Sequence, residues 1–162
     1  MRFLLVNNHC ISDPTAGVTQ SLRTIMEWLA DAGHACHILT TARFESSVTF
    51  TIEEHLKQQG VALSAHEPSR RSNKRRHVAD RPVVCYTARD VPVTLLLTRH
   101  NDEGRPDREE TNQYLAMLEK FLEDFAPDQL IACNGHPMIL EAMARARKRS
   151  ITTAFAVRGY GY

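Results

Sequence analysis

No stretch of this sequence approaches the roughly 20 consecutive apolar residues of a membrane-spanning helix. Its start, Met1-Arg2-Phe3-Leu4-Leu5-Val6-Asn7-Asn8-His9, lacks the apolar core and small-residue cleavage site of a signal peptide. A cytoplasmic chain is therefore expected. Cysteine is sparse, and Cys10, Cys36, Cys85 and Cys133 stand singly in or beside apolar stretches. That pattern suits reduced, buried thiols and argues against a disulfide framework. Glycine is thin where nucleotide fingerprints need it. Gly17 stands alone, so both G-x-G-x-x-G and the phosphate loop G-x-x-x-x-G-K-[ST] are missing. Thr40-Thr41 stand where a dinucleotide fold carries its ribose-binding acid. These absences count against an NAD enzyme and a P-loop nucleotidase, and the lack of a G-x-S-x-G elbow counts against a hydrolase. His9-Cys10 and Cys133-x-x-His136 are spaced more loosely than compact zinc sites, so no metal and no cofactor is expected. No charge of one sign dominates; a net charge of +1 points to no particular partner.

The length of 162 residues suits one domain with a real core, and 43% hydrophobic and 24% charged residues are ordinary for a globular protein. Residues 2–6 are an apolar run without alternation, as in a strand covered on both faces. Residues 7–17 are rich in turn formers, and from Val18 the apolar residues Leu22, Ile25, Met26, Leu29 and Ala30 recur at steps of three and four. This is strand, loop, helix. Gly33 suits a helix stop, and residues 35–40 read as a second strand, which completes a parallel βαβ unit. Residues 51–59 read as a short helix and 61–63 as a brief strand. Residues 82–87 and 91–97 form a hairpin turning at 88–90. Asp107 suits the cap of a long helix over 108–125 whose stripe of Tyr114, Leu115, Leu118, Phe121, Leu122 and Phe125 is core. A strand at 129–133, the turn Asn134-Gly135-His136-Pro137, a helix over 138–147 and a strand at 152–157 follow.

The expected fold is α/β: a Rossmann-like parallel sheet with helices on both faces and a β-hairpin insert. In such sheets ligands bind beyond the carboxyl ends of the strands. Residues 7–17, 134–137 and 158–162 should then share one rim. The first of these also meets a helix amino end, where free N–H groups and the macrodipole favour anions. Residues 65–81 carry six Lys/Arg against Glu67 and Asp80, with almost nothing to bury. A mobile basic loop is expected there, with residues 70–76 a candidate membrane-surface contact and no nucleic acid expected.

Asp13-Pro14-Thr15-Ala16-Gly17-Val18 leading into a helix, then Gly33-His34 and a strand, resembles the start of the retaining GT-B glycosyltransferases of glycosyltransferase family 4, which includes sucrose synthase and bacterial mannosyltransferases. Ala16 replaces the usual first glycine. Phe125-Ala126-Pro127-Asp128-Gln129-Leu130-Ile131, the turn 134–137 and the ending 151–162 are similar to later family segments. Arg158 stands where the family usually has histidine. The resemblance covers nearly the whole chain except 65–81. It implies an amino-terminal, acceptor-side domain within 1–162, with the carboxy-terminal donor domain absent from this sequence. It implies sugar transfer from a nucleoside-diphosphate sugar to a sugar or lipid-linked acceptor, with no activity from this half alone. Ser12, Asp13, Ala16, Gly17 and Val18 would form the donor-phosphate loop. His136 and Arg158 would be catalytic, and Asn8, Asn134, Gly135 and Gly159 would line the cleft rim.

Each of these residues also has a plainer reading. Gly17 suits a turn glycine, Asp13 a turn or cap residue, His136 a turn residue before a helix, and Arg158 a surface or interdomain ion pair. For the chain as a whole, the alternative is a non-enzymatic Rossmann-like binding or interaction module of a larger protein.

Overall fold

Leu4, Leu5 and Val6 are fully buried, because the strand that carries them, β1 (Arg2–Val6), has a parallel neighbour on each side and helices over each face. A computed structural model describes residues 1–44, 52–58, 60–61, 64–66, 81–98 and 106–156. The remaining elements in chain order are α1 (Gly17–Asp31), β2 (Ala35–Thr41), α2 (Ile52–Gln58), β3 (Ser64–His66), β4 (Val83–Ala88), β5 (Val91–Leu96), α3 (Arg108–Lys120), β6 (Gln129–Cys133), α4 (Pro137–Lys148) and β7 (Thr152–Ala156).

They form a seven-stranded sheet in the order β3-β4-β5-β2-β1-β6-β7. The five strands from β5 to β7 are parallel, and β4 and β3 extend the sheet in antiparallel fashion. The period of two along β1 sends Phe3 and Leu5 to one face and Leu4 and Val6 to the other. Phe3 and Leu5 pack with Leu22 and Met26 of α1 and with Ile52 and Leu56 of α2. Leu4 and Val6 pack with Tyr114, Leu118, Ile139 and Ala142 of α3 and α4. At about 1.5–3 kcal/mol for each fully buried large aliphatic chain, these two layers supply most of what holds the sheet.

The hairpin is part of the sheet, since β5 pairs with β2 in parallel. Its two-residue turn, Arg89-Asp90, has φ of 42° and 67°, the doubly left-handed backbone that matches strand twist. Three boundaries differ from the sequence reading. The third strand is Ser64–His66, displaced from 61–63. The last turn of the long helix, Phe121–Phe125, is a π-helix closed by Ala126 at φ 46°. There His37 of β2 lies against Phe121 and Phe125, with ring centroids 4.4 and 5.9 Å away, and aromatic packing accompanies the wider turn. The ends of the basic stretch also differ: residues 65 and 66 belong to β3, and Arg81 is buried. Residues 67–80, including the proposed contact at 70–76, lie outside the described residues.

Gly17 is the first residue of α1 and does not have the positive φ that Gly33 and Gly60 show among the described residues. The left-handed conformation that a loop glycine there would suggest is therefore not what this position needs. Among the described residues, no helix is long and apolar enough to cross a membrane.

Candidate functional site

The strand order reverses at β1: β2 lies on one side and β6 on the other. Where the order reverses, the loops leaving the two central strands diverge and open a crevice. The loop after β1 and the turn after β6 meet there. Asn134 has φ 68°, a backbone that asparagine tolerates better than most residues. Its Nδ2 donates to Asn7 Oδ1 at 3.2 Å and also to Asn8 Oδ1. Its Oδ1 accepts from His136 N at 3.1 Å. His136 in turn caps α4, with Nδ1 accepting from Met138 N at 3.3 Å.

The β1–α1 loop is fastened from below. Thr41 Oγ1 donates to Asn8 O at 2.6 Å, Thr40 Oγ1 donates to His9 O, and Cys10 N donates to Arg43 O at 2.6 Å. Ser12 is buried, its Oγ 2.9 Å from Tyr86 Oη and its carbonyl 2.9 Å from His55 Nε2. Asp13 is fully buried and accepts from Thr15 N and Thr15 Oγ1 at 2.8 and 2.7 Å, the side-chain turn expected of an aspartate before proline. Burial pushes the Cys10 thiol up to about 12 and Cys133 up to about 11, so both stay protonated at neutral pH.

Ala16 is the buried N-cap of α1 and offers no side-chain acceptor. The first intrahelical bond is Gln20 N to Ala16 O. The amides of Gly17, Val18 and Thr19 precede it and have no partner within the helix. The first turn of α1 also carries no acidic residue. The first turn of the helix itself therefore adds no carboxylate to offset the positive end of its dipole. Val18 is half-buried against the core.

The structure therefore brings Asn8, Asn134 and His136 together and sets the amino end of α1 after the same strand. Ser12 and Asp13 spend their side chains on internal bonds. Gly135 is exposed, and a Cβ there would meet nothing within 4 Å. Arg158 and Gly159 lie outside the described residues. Two features escaped the sequence reading. One is Asn7, 1% exposed and central to the crevice, whose only signal was its place at the end of an apolar strand. The other is a buried ion network on the same rim. Arg43, just past β2, holds Glu110 of α3 through Nε and Nη2 at 3.0 and 2.8 Å, and Arg81 joins through Nη1 at 2.9 Å. Arg81 also pairs with Asp107, the N-cap of α3. Partners 67 and 29 residues apart leave no local pattern. Among the described residues, no group of three or more His, Cys, Asp or Glu is placed to hold a metal ion.

No family model and no curated protein matches the sequence. The fold does match a solved structure, the catalytic domain of Starch Synthase IV from Arabidopsis thaliana bound to ADP and acarbose. The TM-score is 0.58 at 13% identity, over 95% of this chain and 32% of that one. The chain spans about a third of that neighbour's length. The likeness defines the class: an α/β Rossmann-like domain with the fold of a GT-B glycosyltransferase half.

Proposed function

We propose that this chain is the amino-terminal, acceptor-side half of a retaining glycosyltransferase that uses a nucleoside-diphosphate sugar. The observation that carries the reading is the junction of the β1–α1 loop and the β6–α4 turn, where Asn134 bridges Asn7 and Asn8 at the strand-order reversal of a GT-B-like sheet. The uncapped amides of Gly17 and Val18 would face the diphosphate as negative charge builds on the leaving group, a task that preorganised N–H dipoles perform well. His136 would offer its ring to the acceptor cleft, and Arg158 is proposed as a second catalytic residue. The sugar transfers directly between oxygen atoms, and no pair of glycosidase carboxylates is invoked. No metal or cofactor enters the proposal.

Holding donor and acceptor in attack geometry needs both walls of a cleft. This chain alone should therefore bind without turning over. The test assays the purified chain for ADP and acarbose binding and for transfer from a panel of nucleoside-diphosphate sugars. Binding without transfer is the expected result. Robust turnover by the chain alone refutes the half-enzyme reading, and failure to bind either compound refutes the glycosyltransferase reading.

The second reading, a non-enzymatic Rossmann-like binding module, draws on the internal use of Asp13. Among the described residues the crevice gathers carboxamides in place of an acid–base pair.

A further inference from the structure

Among the described residues Asn7 Nδ2 is a buried donor with no hydrogen-bond partner, in a residue only 1% exposed. Leaving such a group unmet costs about 1–3 kcal/mol, and each one in a folded protein calls for a reason. The rest of that side chain is fully committed. Its Oδ1 accepts from Asn134 Nδ2 at 3.2 Å and from the Cys133 thiol at 3.6 Å. The amide cannot be turned over to relieve the orphan, because the flip would set two NH2 groups face to face across that 3.2 Å. Turning Asn134 as well would sacrifice the bond from His136 N. The network therefore fixes the orientation. One donor is left over just past the end of β1, on the side chain that Asn134 of the β6–α4 turn holds.

We propose that Asn7 Nδ2 is a ligand-reading donor that takes a neutral hydroxyl oxygen of a sugar-like polyol bound in the β1/β6 crevice. The three side chains that form the cluster, Asn7, Asn8 and Asn134, are all uncharged carboxamides. A donor in that setting suits an uncharged oxygen, whereas an anion gains most from the helix dipole or a cation. Asn8 and Asn134 act as positioning residues: Asn134 holds the Asn7 amide in place, and Asn8 helps hold Asn134. The proposal rests on the glycosyltransferase reading only for its choice of probes.

The test follows the side-chain NH2 resonances of Asn7 in the 15N-labelled chain during separate titrations with glucose, mannose, sucrose, acarbose, ADP and inorganic phosphate. The Asn7 resonances should move with at least one of the sugars and stay in place with phosphate. Asn7→Asp replaces the donor with an oxygen and keeps the Oδ1 acceptor, and should weaken sugar binding about tenfold or more. The wild-type titration stands whether or not that variant folds. Asn7 resonances that respond to no sugar, or only to ADP or phosphate, overturn the proposal, as does close contact with a bound water that no sugar displaces. Backbone amide shifts elsewhere report ADP and acarbose binding separately. A chain that binds either compound without moving Asn7 loses this inference and keeps the proposed function.

Discussion

Glu110 is one buried carboxylate facing two buried guanidinium groups, with side-chain exposures of 1% for Glu110, 8% for Arg43 and 9% for Arg81. Exposed pairs on this molecule, such as Arg2–Asp128, are worth little by comparison. Breaking a buried pair strands charge that water cannot reach. Glu110→Gln should therefore cost about 3–5 kcal/mol in a urea melt, and a loss under 1 kcal/mol would show that the network is dispensable. His37 poses a different residue-scale problem. Burial holds its imidazole down at about 4, against 6.5 in an unfolded chain, while Nε2 lies 2.9 Å from Thr94 Oγ1. Between those two values the unfolded state binds more protons than the folded state. Stability contributed by the neutral ring is complete above 6.5 and falls as the pH drops toward 4. The fall is on the order of 3 kcal/mol at most, since the ring is only partly buried. Denaturant midpoints taken from pH 7 to pH 4 should show the decline, and His37→Phe should flatten that part of the profile.

At the scale of elements, the sequence is most explicit where chemistry is local. The strand, loop, helix, strand opening was legible from periodicity and from Gly33, and Asp107 was legible as a cap; its Oδ1 accepts from Glu110 N at 2.7 Å. The π turn at Phe121–Phe125 was not legible, because its packing involves His37, a ring on β2 far away in sequence. The pairing of β5 with β2 was hidden for the same reason: a hairpin pattern does not say which other strand either of its members meets. The rim was legible as a set of loops after strands, but Asn7 and the Arg43–Glu110–Arg81 network arise from partners that only the fold brings together. Gly17 is the instructive case, since it read as a loop or turn glycine and the chain instead starts α1 there without a positive φ. Valine at a helix start carries no positive-φ strain, so Gly17→Val should change folding stability by less than about 1 kcal/mol. Its side chain would crowd the open amides, so ADP binding should fall tenfold or more. A melting curve paired with ADP titration separates the two effects. Full binding by the folded variant removes the α1 amino end from the site.

For the whole molecule, the centre and one edge of the parallel block are protected very differently. β1 lies between two partners, and Leu4, Leu5 and Val6 are fully buried. Among the described residues β7 pairs only with β6, has Thr152 and Phe155 exposed, and has Thr153, Ala154 and Ala156 half-exposed. On the face opposite α4, Ile131 of β6 is also only partly buried. Local opening is cheapest where few apolar contacts are lost and backbone bonds already border water. Amide exchange should therefore be slowest in β1 and β2, where opening requires global unfolding, and fastest among the parallel strands in β7. Edge strands of this kind also template pairing with other chains, so Phe155→Lys should lower aggregation at high concentration while leaving the slow exchange of β1 unchanged. Native-state exchange read by NMR decides the ranking. Protection in β7 equal to that in β1 would mean that the sheet opens as one unit, with the edge held by something stronger than its single ladder to β6.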